Sequence, residues 1–172
     1  LPIFNRAQNR MELYAANPKS TVVKSILVED SKAWLDSSTY EDIAFEPTGF
    51  MLMSERTGWR HLYRYSYEGQ QLRQVTQGSY DVTAYYGTDA QGNVYYQSEP
   101  AGSVDADPQL ALSRVVYKVD RQGKKTDALT ETRGWASASF TPAMNYAVVN
   151  YSSANSAPRY TLLNAKGKTV RT

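Results

Sequence analysis

The sequence contains no cysteine, a single histidine, and no apolar run approaching the roughly 20 residues that a membrane-spanning helix needs. Without cysteine there are no disulfides and no thiolate metal sites, which leaves the compartment open. The net charge of +2 offers no electrostatic footprint for nucleic acid or an anionic membrane, so no nucleic-acid partner is expected. The lone His61, in Trp59-Arg60-His61-Leu62-Tyr63, reads as a packed ring, because a base needs a nucleophile and an orienting group beside it. No G-x-S-x-G elbow, H-E-x-x-H, P-loop or G-x-G-x-x-G occurs. Asp105-Ala106-Asp107 lacks the further oxygen ligands of a calcium loop and reads as an acidic surface loop. No metal or cofactor is expected, and Asn150-Tyr151-Ser152 is a formal glycosylation sequon only.

What the chain does have is tyrosine: fourteen, against four phenylalanines and three tryptophans. A tyrosine ring packs on a half-buried strand while its hydroxyl reaches water or a backbone partner, so this composition favours sheet. Four segments repeat an aromatic-rich strand and a tight turn. They begin at Leu13-Tyr14, Leu62-Tyr63, Val116-Tyr117 and Tyr160-Thr161. The last three turn at Gly69, Gly123 and Gly167, where a hairpin demands positive φ. Before each of these three lies another strand pair, for example Ile43-Ala44-Phe45 turning through Pro47-Thr48-Gly49 into Phe50-Met51-Leu52-Met53-Ser54. The unit therefore has four strands.

The hairpin glycines lie 54 and 44 residues apart, and the shorter figure is near the roughly 40–50 residues of a propeller blade. Pro100 to Leu112 accounts for the longer one as a loop insertion. The expected fold is all-β, a partial β-propeller of about three and a half four-stranded antiparallel blades. It is read as a single domain over 1–172: half a blade and a connection over 1–39, then blades over 40–80, 81–134 (with the insertion 100–112) and 135–172. A β-sandwich is the alternative architecture, but it does not predict the repeated phase. The sequence opens mid-pattern at Leu1-Pro2-Ile3-Phe4, without a signal peptide. It reads as a piece of a longer chain, with a processed mature terminus as the alternative.

Four segments carry a resemblance. Ser54 to Tyr63 resembles S-E-R-D-G-W-x-H-L-Y of the dipeptidyl peptidase IV N-terminal region, and Val75 to Thr83 its L-T-x-G-x-W-x-V. Asn5 to Tyr14 is similar to N-R-x-Q-N-x-x-x-L-Y, and Ala138-Ser139-Phe140-Thr141-Pro142 fits S-x-S-F-S-P-D-G-K-Y. The four occur in the family's order over nearly the whole chain, and the absent cysteines and sequence texture point to a bacterial member.

The resemblance implies the C-terminal part of an eight-bladed propeller in a prolyl oligopeptidase-type serine peptidase that removes Xaa-Pro or Xaa-Ala dipeptides. The Ser-Asp-His triad belongs to an α/β-hydrolase domain that follows in the family, so this chain alone is not expected to be catalytic. Glu41-Asp42 is not the family's amine-binding glutamate pair. The propeller is expected to gate access, to dock the hydrolase domain of the same polypeptide and to contact the peptide substrate, in a parent exported to the periplasm or cell envelope. Trp34, Ser38, Thr39 and Tyr40 stand where the family walls the pocket for the residue before the scissile one. Mammalian members carry an aromatic and an arginine about where Ser38 and Thr39 stand, so a plain inter-blade connection is the alternative. Self-association through exposed blade edges is expected of the chain by itself. The rival function is a stand-alone module that binds a protein or glycan through loops such as 100–112.

Overall fold

A computed structural model describes residues 1–41, 43–101, 107, 109–164 and 166–172. The chain is all-β, and among the described residues there are two single-turn 3-10 helices, at Ser37–Tyr40 and Leu110–Leu112. It divides into two compact units, Leu1–Gln74 and Val75–Thr172.

The first unit holds two antiparallel sheets. One is β1 (Pro2–Phe4), β2 (Arg10–Ala16) and β3 (Val23–Asp30) in that order. The other is the meander β4 (Ala44–Glu46), β5 (Gly49–Ser54), β6 (His61–Tyr65) and β7 (Gln71–Gln74). Reading residues 1–39 as half a blade overlooks β1, which pairs Ile3 with Glu12. Three residues are too few to show alternation, and Pro2 is tolerated because it begins the strand. β5 is buried almost throughout, and Phe50 stacks on Tyr65 at 5.3 Å. Met11 and Leu13 of β2 join Leu35, Tyr40, Phe50 and Leu52 in one apolar cluster.

The second unit holds two four-stranded meanders. They are β8 (Val82–Thr88), β9 (Val94–Ser98), β10 (Val115–Val119) and β11 (Thr126–Ala128), then β12 (Trp135–Phe140), β13 (Tyr146–Ser153), β14 (Ser156–Asn164) and β15 (Thr169–Arg171). Alternation is clear on β13, where Ala147, Val149 and Tyr151 are buried while Tyr146 and Val148 face solvent. Val116, Ala136, Val149 and Leu163 form the core between the two sheets.

The hairpins have a shared chemistry that the glycine pattern does not reveal. The residue opening each turn accepts backbone N–H groups on its side chain. Ser66 accepts from Glu68 and Gln70, Asp120 from Lys124 and Lys125, and Asn164 from Lys166 and Lys168. Gly69 has φ +86°, and a Cβ there would also collide with the Ile26 carbonyl oxygen of β3. Glycine is needed at that turn for close approach as well as for conformation.

In the 100–112 insertion, residues 102–106 and Pro108 lie outside the described residues, as do Asp42 and Ala165. Asp107 accepts from Arg133 Nη2 at 2.9 Å and from the Gln109 N–H at 3.0 Å. Asn150 of the sequon lies mid-strand on β13, between Ser137 and Tyr160, with its Oδ1 buried.

Candidate functional site

β3 ends at Asp30, and the chain then runs through residues 31–35 into the Ser37–Tyr40 helix. Asp36 caps that helix, accepting the Ser38 N–H at 3.0 Å. Opposite lies the turn after β5. Between them is a cleft of about 540 Å³, lined by Glu29, Ser31, Lys32, Trp34, Arg56 and Gly58 among others.

The floor of the cleft is a charged knot. The Glu29 side chain is 4% exposed, and Arg56 Nη2 donates to its Oε2 at 2.6 Å. Tyr40 Oη donates to Glu29 Oε1 at 2.6 Å, and Ser54 Oγ donates to the same oxygen. Arg56 also donates from Nε to Ser54 Oγ (2.9 Å) and from Nη1 to Gln71 Oε1 (3.0 Å). Its guanidinium lies 4.5 Å from the centroid of Tyr63. Burial works against the Arg56 charge, but the Glu29 carboxylate and Tyr65 together outweigh it and hold the guanidinium pKa above its ordinary value. Burial, followed by the hydrogen bond to Glu29, pushes the Tyr40 phenol well above the usual tyrosine range.

Trp34 forms part of the wall. The residue is 60% exposed, and its Nε1–H donates to Gln8 Oε1 at 2.5 Å. The Leu35 N–H donates to the Gln8 carbonyl at 2.6 Å. Gln8 itself has φ +50°, a left-handed conformation unfavourable for a residue with a Cβ. A strained residue therefore anchors an exposed indole.

Of the four residues singled out in the sequence, the structure brings Trp34 to the cleft. Ser38 faces solvent. Thr39 and Tyr40 are buried, Tyr40 edge-on to Phe4 at 5.7 Å. Tyr40 thus bears on the cleft from beneath, through Glu29. Sequence reasoning missed Gln8, Glu29 and Arg56. Gln8 and Arg56 lie inside recognised motifs, but nothing in the pattern of β3 marks Glu29.

Ser54, His61 and Glu29 have the residue types of a hydrolytic triad but not its arrangement. Ser54 and His61 face each other across the β5–β6 ladder at 0% and 1% exposure, and the serine hydroxyl donates to Glu29. No substrate can reach that oxygen, so the geometry suits binding and positioning rather than nucleophilic attack.

The family described as "Dipeptidyl peptidase IV (DPP IV) N-terminal region" matches residues 1–158. The chain belongs to this family. It is 27% identical to dipeptidyl peptidase 4 of Arthroderma otae over 172 residues, covering 96% of this chain and 21% of that protein. With dipeptidyl peptidase 4 of Trichophyton rubrum it shares 25% identity over 159 residues, 88% of this chain and 20% of the relative. The chain thus spans about a fifth of the length of the curated relatives it matches. The crystal structure of Porphyromonas gingivalis dipeptidyl peptidase 4 superposes with a TM-score of 0.87 at 34% identity, over 99% of this chain and 23% of that one. Puromycin hydrolase (TM-score 0.66, 14% identity, 98% of this chain and 25% of that one) shares the fold alone. The four-stranded sheets of this chain are accordingly blades of a dipeptidyl peptidase IV-type propeller region.

Proposed function

We propose that the chain is the non-catalytic propeller portion of a serine dipeptidyl peptidase that removes Xaa-Pro or Xaa-Ala dipeptides. It gates access to the hydrolase site, docks the α/β-hydrolase domain of the same polypeptide and presents Trp34, with Ser38, Thr39 and Tyr40 behind it, towards the peptide. The observation that carries this reading is the 0.87 TM-score to a dipeptidyl peptidase 4 over 99% of the chain. The exposed indole held by Gln8 supports a peptide contact, because a rigid aromatic face binds with little loss of side-chain freedom. Export to the periplasm or cell envelope is part of the proposal.

The test is cleavage of Xaa-Pro chromogenic substrates by this chain and by the full-length protein. Activity is expected from the full-length protein and none from the chain. A full-length protein without a G-x-S-x-G hydrolase sequence, or without dipeptide release, overturns the reading. The chain alone is expected to self-associate through exposed sheet faces such as Val148 and Tyr160, which are 45% and 64% exposed. A monodisperse monomer by light scattering refutes that part.

A further inference from the structure

The turn from β12 to β13 contains a residue in the wrong conformation for its type. Met144 has φ +55°, which disfavours a side chain bearing a Cβ by about tenfold in population. Its N–H donates to the Thr141 carbonyl at 2.8 Å, and the Thr141 N–H donates to the Tyr146 carbonyl at 3.0 Å, so the turn is tight and closed. A strained methionine in a surface turn would ordinarily point to water. Here it is 5% exposed.

Its socket is on β8. Gly87 has φ +143° and sits where the β8–β9 ladder slips register between Tyr85 and Gly87. A Cβ on residue 87 would lie 2.9 Å from Met144 Sδ and 3.2 Å from its Cε. The thioether therefore occupies the space that any side chain at 87 would need.

The neighbouring groups act in the same place. Tyr86 Oη accepts the Ala138 N–H at 3.2 Å, and the Tyr86 ring lies 5.5 Å from Phe140. Gln97 Nε2 donates to the Ala136 carbonyl at 2.5 Å, and the Ala136 N–H donates to the Arg114 carbonyl at 2.8 Å. β12 is the edge of its sheet, and these bonds from the third sheet satisfy backbone groups that would otherwise stand open.

We infer that Met144 and Gly87 form a latch that closes the fourth sheet onto the third and keeps the β12 edge capped. Strain at one residue and a missing side chain at the other are two halves of one device. The left-handed turn delivers the flexible thioether into the socket, and the socket exists because residue 87 has no Cβ.

Hydrogen exchange over residues 136–140, in the full-length protein, reads the latch directly. Met144→Ala and Gly87→Ala are each expected to raise local opening at least tenfold. In the double variant the two effects are expected to overlap, because shortening the side chain at 144 vacates the space that a Cβ at 87 enters. Met144→Gly loses the same contact but relieves the turn, so it is expected to open about tenfold less than Met144→Ala. Effects that simply multiply in the double variant overturn the latch. Equal opening in Met144→Gly and Met144→Ala overturns the role of strain. Because φ +143° strains any side chain at 87 whatever the space, a Gly87→Ala that fails to fold is set aside for Met144→Leu, which refills the socket: protection near that of the parent supports the latch, and opening equal to that of Met144→Ala refutes it.

Discussion

Arg56 reaches Glu29 across 27 residues of sequence, its Nη2 2.6 Å from a carboxylate oxygen that is almost wholly out of water. The pair ties β3 of the first sheet to the turn leaving β5, which are the two walls of the cleft. Such a pair is costly to break because removing one partner leaves the other charge uncompensated.

Glu29→Ala is therefore expected to destabilise the first unit by about 3 kcal/mol. It strands Arg56 and takes the acceptor from Tyr40 and Ser54 together. Glu29→Gln keeps one acceptor and is expected to cost less. Denaturant unfolding followed by fluorescence of the Trp34 and Trp59 region measures both, and a loss below about 0.5 kcal/mol for the alanine variant contradicts the assignment.

Trp34 gives the opposite expectation. Its ring is exposed, so Trp34→Ala is expected to change stability by no more than about 0.5 kcal/mol. In the full-length peptidase proposed here it should weaken peptide handling, read as a several-fold rise in KM with kcat little changed. Unaltered kinetics on substrates of several lengths remove Trp34 from the peptide contact.

Asp89 sets an acid limit for the second unit. Burial raises its pKa, but hydrogen bonds from the Asn93 side chain and backbone and from Tyr95, with the Lys118 charge, outweigh burial and hold it below the ordinary aspartate value. A depressed folded-state pKa contributes stability that is present above the unfolded value of about 3.9 and lost as pH falls through the folded one. Asp89→Asn should be less stable than the parent at pH 7, with the difference shrinking below pH ~4. Melting temperatures at pH 7 and pH 3 measure this, and a difference independent of pH contradicts it.

Tyr117 sets an alkaline limit. Burial first, and then Tyr80, push its phenol up to about 12. It stacks on Tyr96 at 5.5 Å. Because the folded value lies above the unfolded one, its contribution is complete below pH ~10 and lost as pH rises through the folded pKa. Tyr117→Phe is expected to move alkaline unfolding to higher pH, as followed by tyrosinate absorbance. No shift would mean that another group governs that limit.

Much of the fold was legible in one dimension because its causes are local. Alternating burial along β13, turn residues at Gly69 and Gly167 and the recurring aromatic strand are all short-range patterns, and a repeated unit writes them several times over. The Asx-type acceptors at Asp120 and Asn164 were equally local, and a reading attentive to side-chain oxygens as well as glycines would have found them. β1 was not legible, since three residues hold no period.

The candidate site was legible at Trp34, on its wall, and at Tyr40, beneath its floor. Glu29, Arg56 and Gln8 matter through partners 11 to 27 residues away, such as Tyr40, Ser54 and Arg56 around Glu29, and no periodicity encodes such pairings. Met144 is the sharpest case. Its sequence position marks a turn, but that its side chain turns inward against Gly87 depends on a register slip in a strand of the neighbouring sheet. By itself, then, the sequence determined the strands, their turns and the family to which they belong, because backbone preference and side-chain alternation act over a few residues. Which charges would pair, which tyrosines would lose water and where a strained residue could be held were decided by tertiary structure, because each depends on how closely distant strands approach.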